Sequence, residues 1–206
     1  MSSSRRSTAT TCPTRAPAHF AATIRALKAK LPGVSVEVLT PDFLGYEEEA
    51  LQIVLAERPE VFNHNIETVR RGHRRTRGAK ASYDKALRLL HRAKELAGYP
   101  VLTKSGIIVG LGETNDEVVE TMRDLRARGV DVVTIGQYLQ PSSRHAPIDR
   151  WVHPDEFRWF REQGDAMGFG SVFSGPLVRS SYRLAARPVA TSWPPRSTGW
   201  CRSRAR

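Results

Sequence analysis

The sequence predicts an α/β fold in which parallel strands alternate with helices and form an open or incomplete barrel. Three observations support this. Apolar β-branched runs recur between segments of helical periodicity, the two types alternate about five times, and a glycine turn follows the longest run. That many units are too few to close an eight-stranded barrel.

Taken in order, Phe20, Ile24, Leu27 and Leu31 repeat at helical spacing and are closed by Pro32-Gly33. Val34, Val36, Val38 and Leu39 predict a strand, Glu47 to Glu57 a helix, and Val61 to Asn65 a short strand with a polar end. Ser82 is placed to cap a helix carrying Ala86, Leu89, Leu90, Ala93 and Leu96. Val101, Leu102, Ile107, Ile108 and Val109 suit a strand buried on both faces. Gly110 and Gly112 then allow a tight turn and a close backbone approach to a ligand. Asn115 is the expected cap of the next helix, which stops at Gly129, and Val132 to Ile135 form the following strand. A proline-bearing loop runs from Pro141 to Pro154; a helix with Phe157, Phe160 and Met167 and a short strand at Val172-Phe173 complete the pattern.

A net charge of +11 in 206 residues first suggests a nucleic-acid binder. Its distribution argues otherwise: residues 1–18 and 183–206 hold nine arginines and no acid, leaving the interval between them at +2. Both end segments lack apolar periodicity and are expected to be disordered, with residues 19–182 as the folded unit. Two cysteines, Cys12 and Cys201, are too few for a disulfide framework. No stretch approaches the roughly 20 apolar residues of a membrane span, and no secretory signal is visible, so a cytoplasmic location is expected.

Four stretches carry a family resemblance: VFNHNIETV (61–69), YPVLTKSGIIVGLGET (99–114), IGQYLQPSSRHAPIDRWVHPDEF (135–157) and GPLVRSSY (175–182). Together they resemble the C-terminal two-thirds of lipoyl synthases, which are radical S-adenosylmethionine (SAM) enzymes. The resemblance implies a partial TIM-like barrel of the radical SAM type, incomplete at its N-terminal side. It also implies SAM and [4Fe–4S] clusters as cofactors. The reaction implied inserts two sulfur atoms into a protein-bound octanoyl chain, and an octanoylated lipoyl-carrier domain is the partner. Carried over by position, Asn65 and Glu67 correspond to residues that contact the SAM ribose and nearby polar groups. The turn containing Gly110, Gly112 and Glu113 corresponds to the one lining the adenine side. Ser181 corresponds to a serine that ligates an iron of the auxiliary cluster.

The sequence departs from the family pattern in one respect. Clusters depend on thiolate ligands, yet no CxxxCxxC is present and residues 19–182 contain no cysteine. The chain therefore reads as a truncated lipoyl synthase without its cluster cysteines, catalytically incompetent alone, and no catalytic residue is assigned. Self-association through an exposed barrel edge is expected. The alternatives are a non-enzymatic protein whose basic tails bind nucleic acid or an acidic partner, and a SAM-dependent enzyme without a cluster. His64 reads either as a ligand contact or as a hydrogen-bonded structural residue. Lys104 could face an acidic ligand group or a neighbouring carboxylate. The basic run from Arg70 to Lys80 reads either as a docking patch for an acidic partner or as a solvated face.

Overall fold

The computed structural model describes residues 15–78 and 80–181. The tails predicted to be disordered lie mostly outside these residues, as do Cys12 and Cys201. Helix α1 (Arg15–Lys30) begins ahead of the boundary predicted at residue 18, with Pro17 in its first turn, where a missing N–H removes no helical bond.

Five parallel strands lie in chain order: β1 (Glu37–Leu39), β2 (Val61–Asn63), β3 (Leu102–Val109), β4 (Val132–Gln137) and β5 (Ser171–Gly175). The crossovers carry α2 (Glu47–Ala56), a 3-10 turn (Arg70–Gly72), α3 (His73–Arg77), α4 (Tyr83–Leu96), α5 (Asn115–Ala127) and α6 (Pro154–Ala166). The predicted parallel α/β architecture is therefore observed. The first two strands are shorter than predicted, because Val34 and Asn65 lie outside the ladder. The short α3 departs from the predicted pattern: its residues are His73-Arg-Arg-Thr-Arg, with no apolar stripe to announce a helix.

Alternation along the strands divides the sheet into two faces. Val38, Phe62, Ile107, Val133, Ile135 and Val172 point to the helices and join Leu51, Val54, Leu90, Phe157 and Phe160 in one buried cluster. The register places Asn63 beside Lys104 and Lys104 beside Val132, with Gly106 beside Thr134 and Ile108 beside Gly136. These residues form the other, inner face. The described segment after β5 returns over it: Val178 lies on Gly136, and Asn63 Nδ2 donates to the Ser180 carbonyl at 3.4 Å.

One local detail differs from expectation. Thr114, not Asn115, caps α5: its hydroxyl accepts from Glu117 N–H, and the Glu117 carboxylate accepts from Thr114 N–H. The T-x-x-E spacing was the legible signal of this capping box. Asn115 occupies the first helical position and links Glu156 and Arg150. Among the described residues no helix is long and apolar enough to cross a membrane.

Candidate functional site

Because all five strands run the same way, their carboxyl ends meet at one edge of the sheet. Thr40, His64, Asn65, Glu67, the Gly110–Glu113 turn and Tyr138 follow those ends. The topology therefore collects the β2-end and β3-end residues singled out in the sequence, Asn65, Glu67, Gly110, Gly112 and Glu113, at one edge.

Glu67 has φ +69°, a left-handed backbone that a side chain other than glycine adopts at a cost. Two main-chain bonds hold it there: Glu67 N–H donates to Gly106 O at 2.9 Å, and Ile108 N–H donates to Glu67 O at 2.7 Å. Its carboxylate accepts from Asn65 Nδ2 at 3.3 Å. With Nδ2 engaged, Asn65 Oδ1 is buried and has no hydrogen-bond partner among the described residues. A methyl group at Gly106 would come within 2.8 Å of that oxygen and 3.0 Å of Thr134 Oγ1. Gly106 thus makes the space in which Asn65 sits.

The glycine turn is held by contacts within the chain. Gly110 has φ +100°, and the space a side chain would need there is filled by the Gln137 amide and the Arg150 carbonyl. Gly112 has φ +92° and more room: a methyl group there would stand 3.6 Å from the Arg75 and Asp149 side chains. Glu113, 7% exposed, folds back so that its oxygens accept from Gly110 N–H at 2.5 Å and Leu111 N–H at 2.9 Å. In this arrangement Glu113 shapes the turn.

His64 is buried, its Nδ1 2.9 Å from Thr40 O and its Nε2 3.1 Å from Asp42 Oδ1. Asp42 also accepts from Arg77, at 3.0 and 3.2 Å, and Arg77 donates to Asn65 O at 2.8 Å. The hydrogen bond from His64, reinforced by the Arg77 charge, holds the Asp42 carboxyl below the usual carboxylate range despite its partial burial. His64 is thus a structural residue that ties the ends of β1 and β2 together. The basic run is largely committed internally. Arg70 pairs with Asp84 and Asp124, Arg71 grips Glu117 at 2.7 and 2.9 Å, and Arg75 donates to Leu111 O.

On the inner face Lys104 is fully buried, and its ammonium donates to both Glu37 oxygens at 2.9 and 3.0 Å. Asn63 Nδ2 donates to the same carboxylate at 2.8 Å. The neighbouring-carboxylate reading of Lys104 is the one observed. Ser181 lies in an exposed turn beside Ser180, at the far end of the returning segment.

Sequence reasoning did not single out Glu37, Asn63, Thr134 or Gly136 as part of this face. The signal was partial: polar residues and glycines stand at alternate positions of strands whose other positions are mostly apolar.

Comparison with known proteins adds to this geometry. Residues 10–125 match the family model of the Radical SAM superfamily. A lipoyl synthase of Thermus thermophilus is 52% identical over 165 residues, covering 80% of this chain and 50% of that protein. One from Pseudomonas putida is 52% identical over 164 residues, covering 80% of this chain and 48% of the relative. One from Rubrobacter xylanophilus is 55% identical over 163 residues, covering 79% and 50%. The chain spans about half the length of the curated relatives it matches. A crystal structure of methylornithine synthase (PylB) superposes with a TM-score of 0.53 at 13% identity, covering 83% of this chain and 58% of that one; this likeness is one of fold.

Proposed function

Because the chain belongs to the radical SAM superfamily, we propose that the strand-end cluster around Asn65 holds the ribose and amino-acid side of SAM in a lipoyl-synthase-type reaction. The buried Asn65 Oδ1, without a donor among the described residues and set in the space that Gly106 leaves, carries this reading. A buried acceptor is costly unless a donor reaches it, and a ribose hydroxyl is a suitable donor. The Glu67 carboxylate, partly exposed beside it, accepts from a second hydroxyl. The ring formed by Arg77, Asp42 and His64 fixes the Asn65 main chain from behind. Reductive cleavage of SAM supplies the radical chemistry of such enzymes. Gly110, Gly112 and Glu113 present the turn on the adenine side. The substrate in this reading is an octanoylated lipoyl-carrier domain, and the cellular location is the cytoplasm.

The described residues do not fit an iron–sulfur cluster. No group of three or more His, Cys, Asp or Glu among them could hold a metal ion, and none of them is a cysteine. The Ser181 hydroxyl offers one oxygen ligand, and no step is assigned through a cluster here. Iron and acid-labile sulfide after anaerobic reconstitution of the full chain are expected near zero. A stoichiometric cluster would bring Cys12 or Cys201 into the site.

The SAM reading is tested by titration calorimetry with the full chain, the Asn65→Ala variant and the Gly106→Ala variant. Saturable SAM binding that weakens at least about tenfold in both variants is expected, the loss of a hydrogen bond in a buried site. No binding by the parent chain, or equal binding by all three, would overturn it.

A further inference from the structure

We infer that Gly136 and Asn63 are positioning residues that seat the segment from Pro176 to Ser181 across the inner face of the sheet and so fix where Ser181 stands. The inference goes beyond the proposed function and does not depend on SAM binding at Asn65. The contacts that carry it all lie within the chain.

Gly136 and Asn63 lie on the same face, on β4 and β2, with β3 between them. The chain leaves β5 at Gly175, and Val178 N–H donates to Gly175 O at 3.1 Å, closing a turn that sends it back over the sheet. Val178 then rests directly on Gly136. A methyl group there would overlap the Val178 carbonyl oxygen and approach its carbon to 3.2 Å. The obstruction is backbone, so the segment itself would have to lift. Gly136 lies in a regular strand, so alanine suits its own conformation; only the close approach requires glycine.

Farther along, the Ser180 carbonyl accepts from Asn63 Nδ2. The same nitrogen donates to Glu37, which in turn accepts from Lys104. Asn63 therefore connects a buried ion pair to the turn that carries Ser181. Arg179 closes the segment on itself, donating to Val178 O at 2.7 Å. One end of the segment depends on a missing side chain and the other on an amide. The two anchors are independent and can be removed separately.

The test measures the position of residue 181 by double electron–electron resonance in the full chain. Cys12 and Cys201 are replaced by serine, and nitroxides are placed at Ser181→Cys and at Arg88→Cys on the exposed side of α4. A second pair, Arg88→Cys with Glu162→Cys on α6, reports the scaffold alone. A narrow 88–181 distance distribution is expected in the parent. Gly136→Ala and Asn63→Ala should each broaden it about twofold while the 88–162 distribution stays unchanged. Unchanged 88–181 distributions in both variants would overturn the inference, as would broadening of both pairs together. Calorimetry with SAM answers a separate question: a parent that positions residue 181 but does not bind SAM would sink the functional reading and leave the seat intact.

Discussion

The two faces of the sheet are built from alternate residues of the same strands, yet they solve different problems. The helix-facing side is mainly apolar from Val38 to Val172, interrupted on β3 by Thr103 and Ser105. The inner side carries Glu37, Asn63, Lys104 and Thr134, with glycine at 106 and 136. Area removed from water accounts for the first, at about 25 cal/mol per Å² of apolar surface. The second gains little from its ion pair, because desolvating two charges offsets most of their attraction. Stability is therefore concentrated on one side and organisation on the other.

Phe160→Ala breaks the apolar side most severely. Its ring is fully buried in the core, and its removal should cost about 4 kcal/mol of unfolding free energy in urea titrations. Glu37→Ala strikes the polar side and removes the carboxylate to which the buried Lys104 ammonium donates twice. A loss of about 3 kcal/mol is expected, at the low end for buried pairs because Glu37 is partly exposed. The double change Glu37→Leu with Lys104→Met should recover most of that loss. If it remains as destabilised as Glu37→Ala, the inner face contributes to stability in its own right, and the contrast fails.

Two smaller changes sharpen the contrast at the strand ends. Asp42→Ala removes the acceptor shared by His64 and Arg77 and should cost about 2 kcal/mol, since both donors lose their partner. Thr114→Ala removes one arm of the α5 capping box and should cost about 1 kcal/mol. Thermal melts of both variants measured side by side would rank them.

The smallest effect is electrostatic. The hydrogen-bonded Arg71 guanidinium draws the Glu117 carboxyl down to about 2, and Arg150 does the same for Glu156, also to about 2, from an ordinary 4.5. A depressed carboxylate stabilises the fold fully above its unfolded value and loses that contribution as pH falls through its folded value. Stability should therefore decline between about pH 4.5 and pH 2, and Arg71→Ala should flatten part of that decline. Both carboxylates are still partly exposed, so solvent screening keeps the change modest. A melting curve of Arg71→Ala parallel to that of the parent across this window would contradict the assignment.

Much of this was legible in the residues. Periodicity located the helices and strands because each element buries one face, and the parallel order followed from their alternation. The motif around Asn65 and Glu67 could be placed at a strand end for the same reason. The left-handed turn at Glu67 could not, since nothing in a glutamate announces a positive φ. Nor could the bonds Glu113 accepts from Gly110 and Leu111 N–H, because a carboxylate in a sequence does not announce which donors its own turn will supply. The arginines of the 70–77 run were ambiguous for a related reason: Asp42, Glu117 and Asp124 are distant in sequence and become partners only when the sheet forms.

The contact between Asn63 and Ser180 joins residues 117 apart in the chain. By contrast, each parallel pairing links strands separated by a single crossover, and β3 with β4 forms the longest of them. Loops that close late close over a larger ensemble, so short crossovers should assemble first and the Asn63–Ser180 contact last. Docking of residues 176–181 then serves as a record of completed assembly. Protease access to residues 176–181 would report the fraction of chains that have finished folding, even while helix content already reads as native.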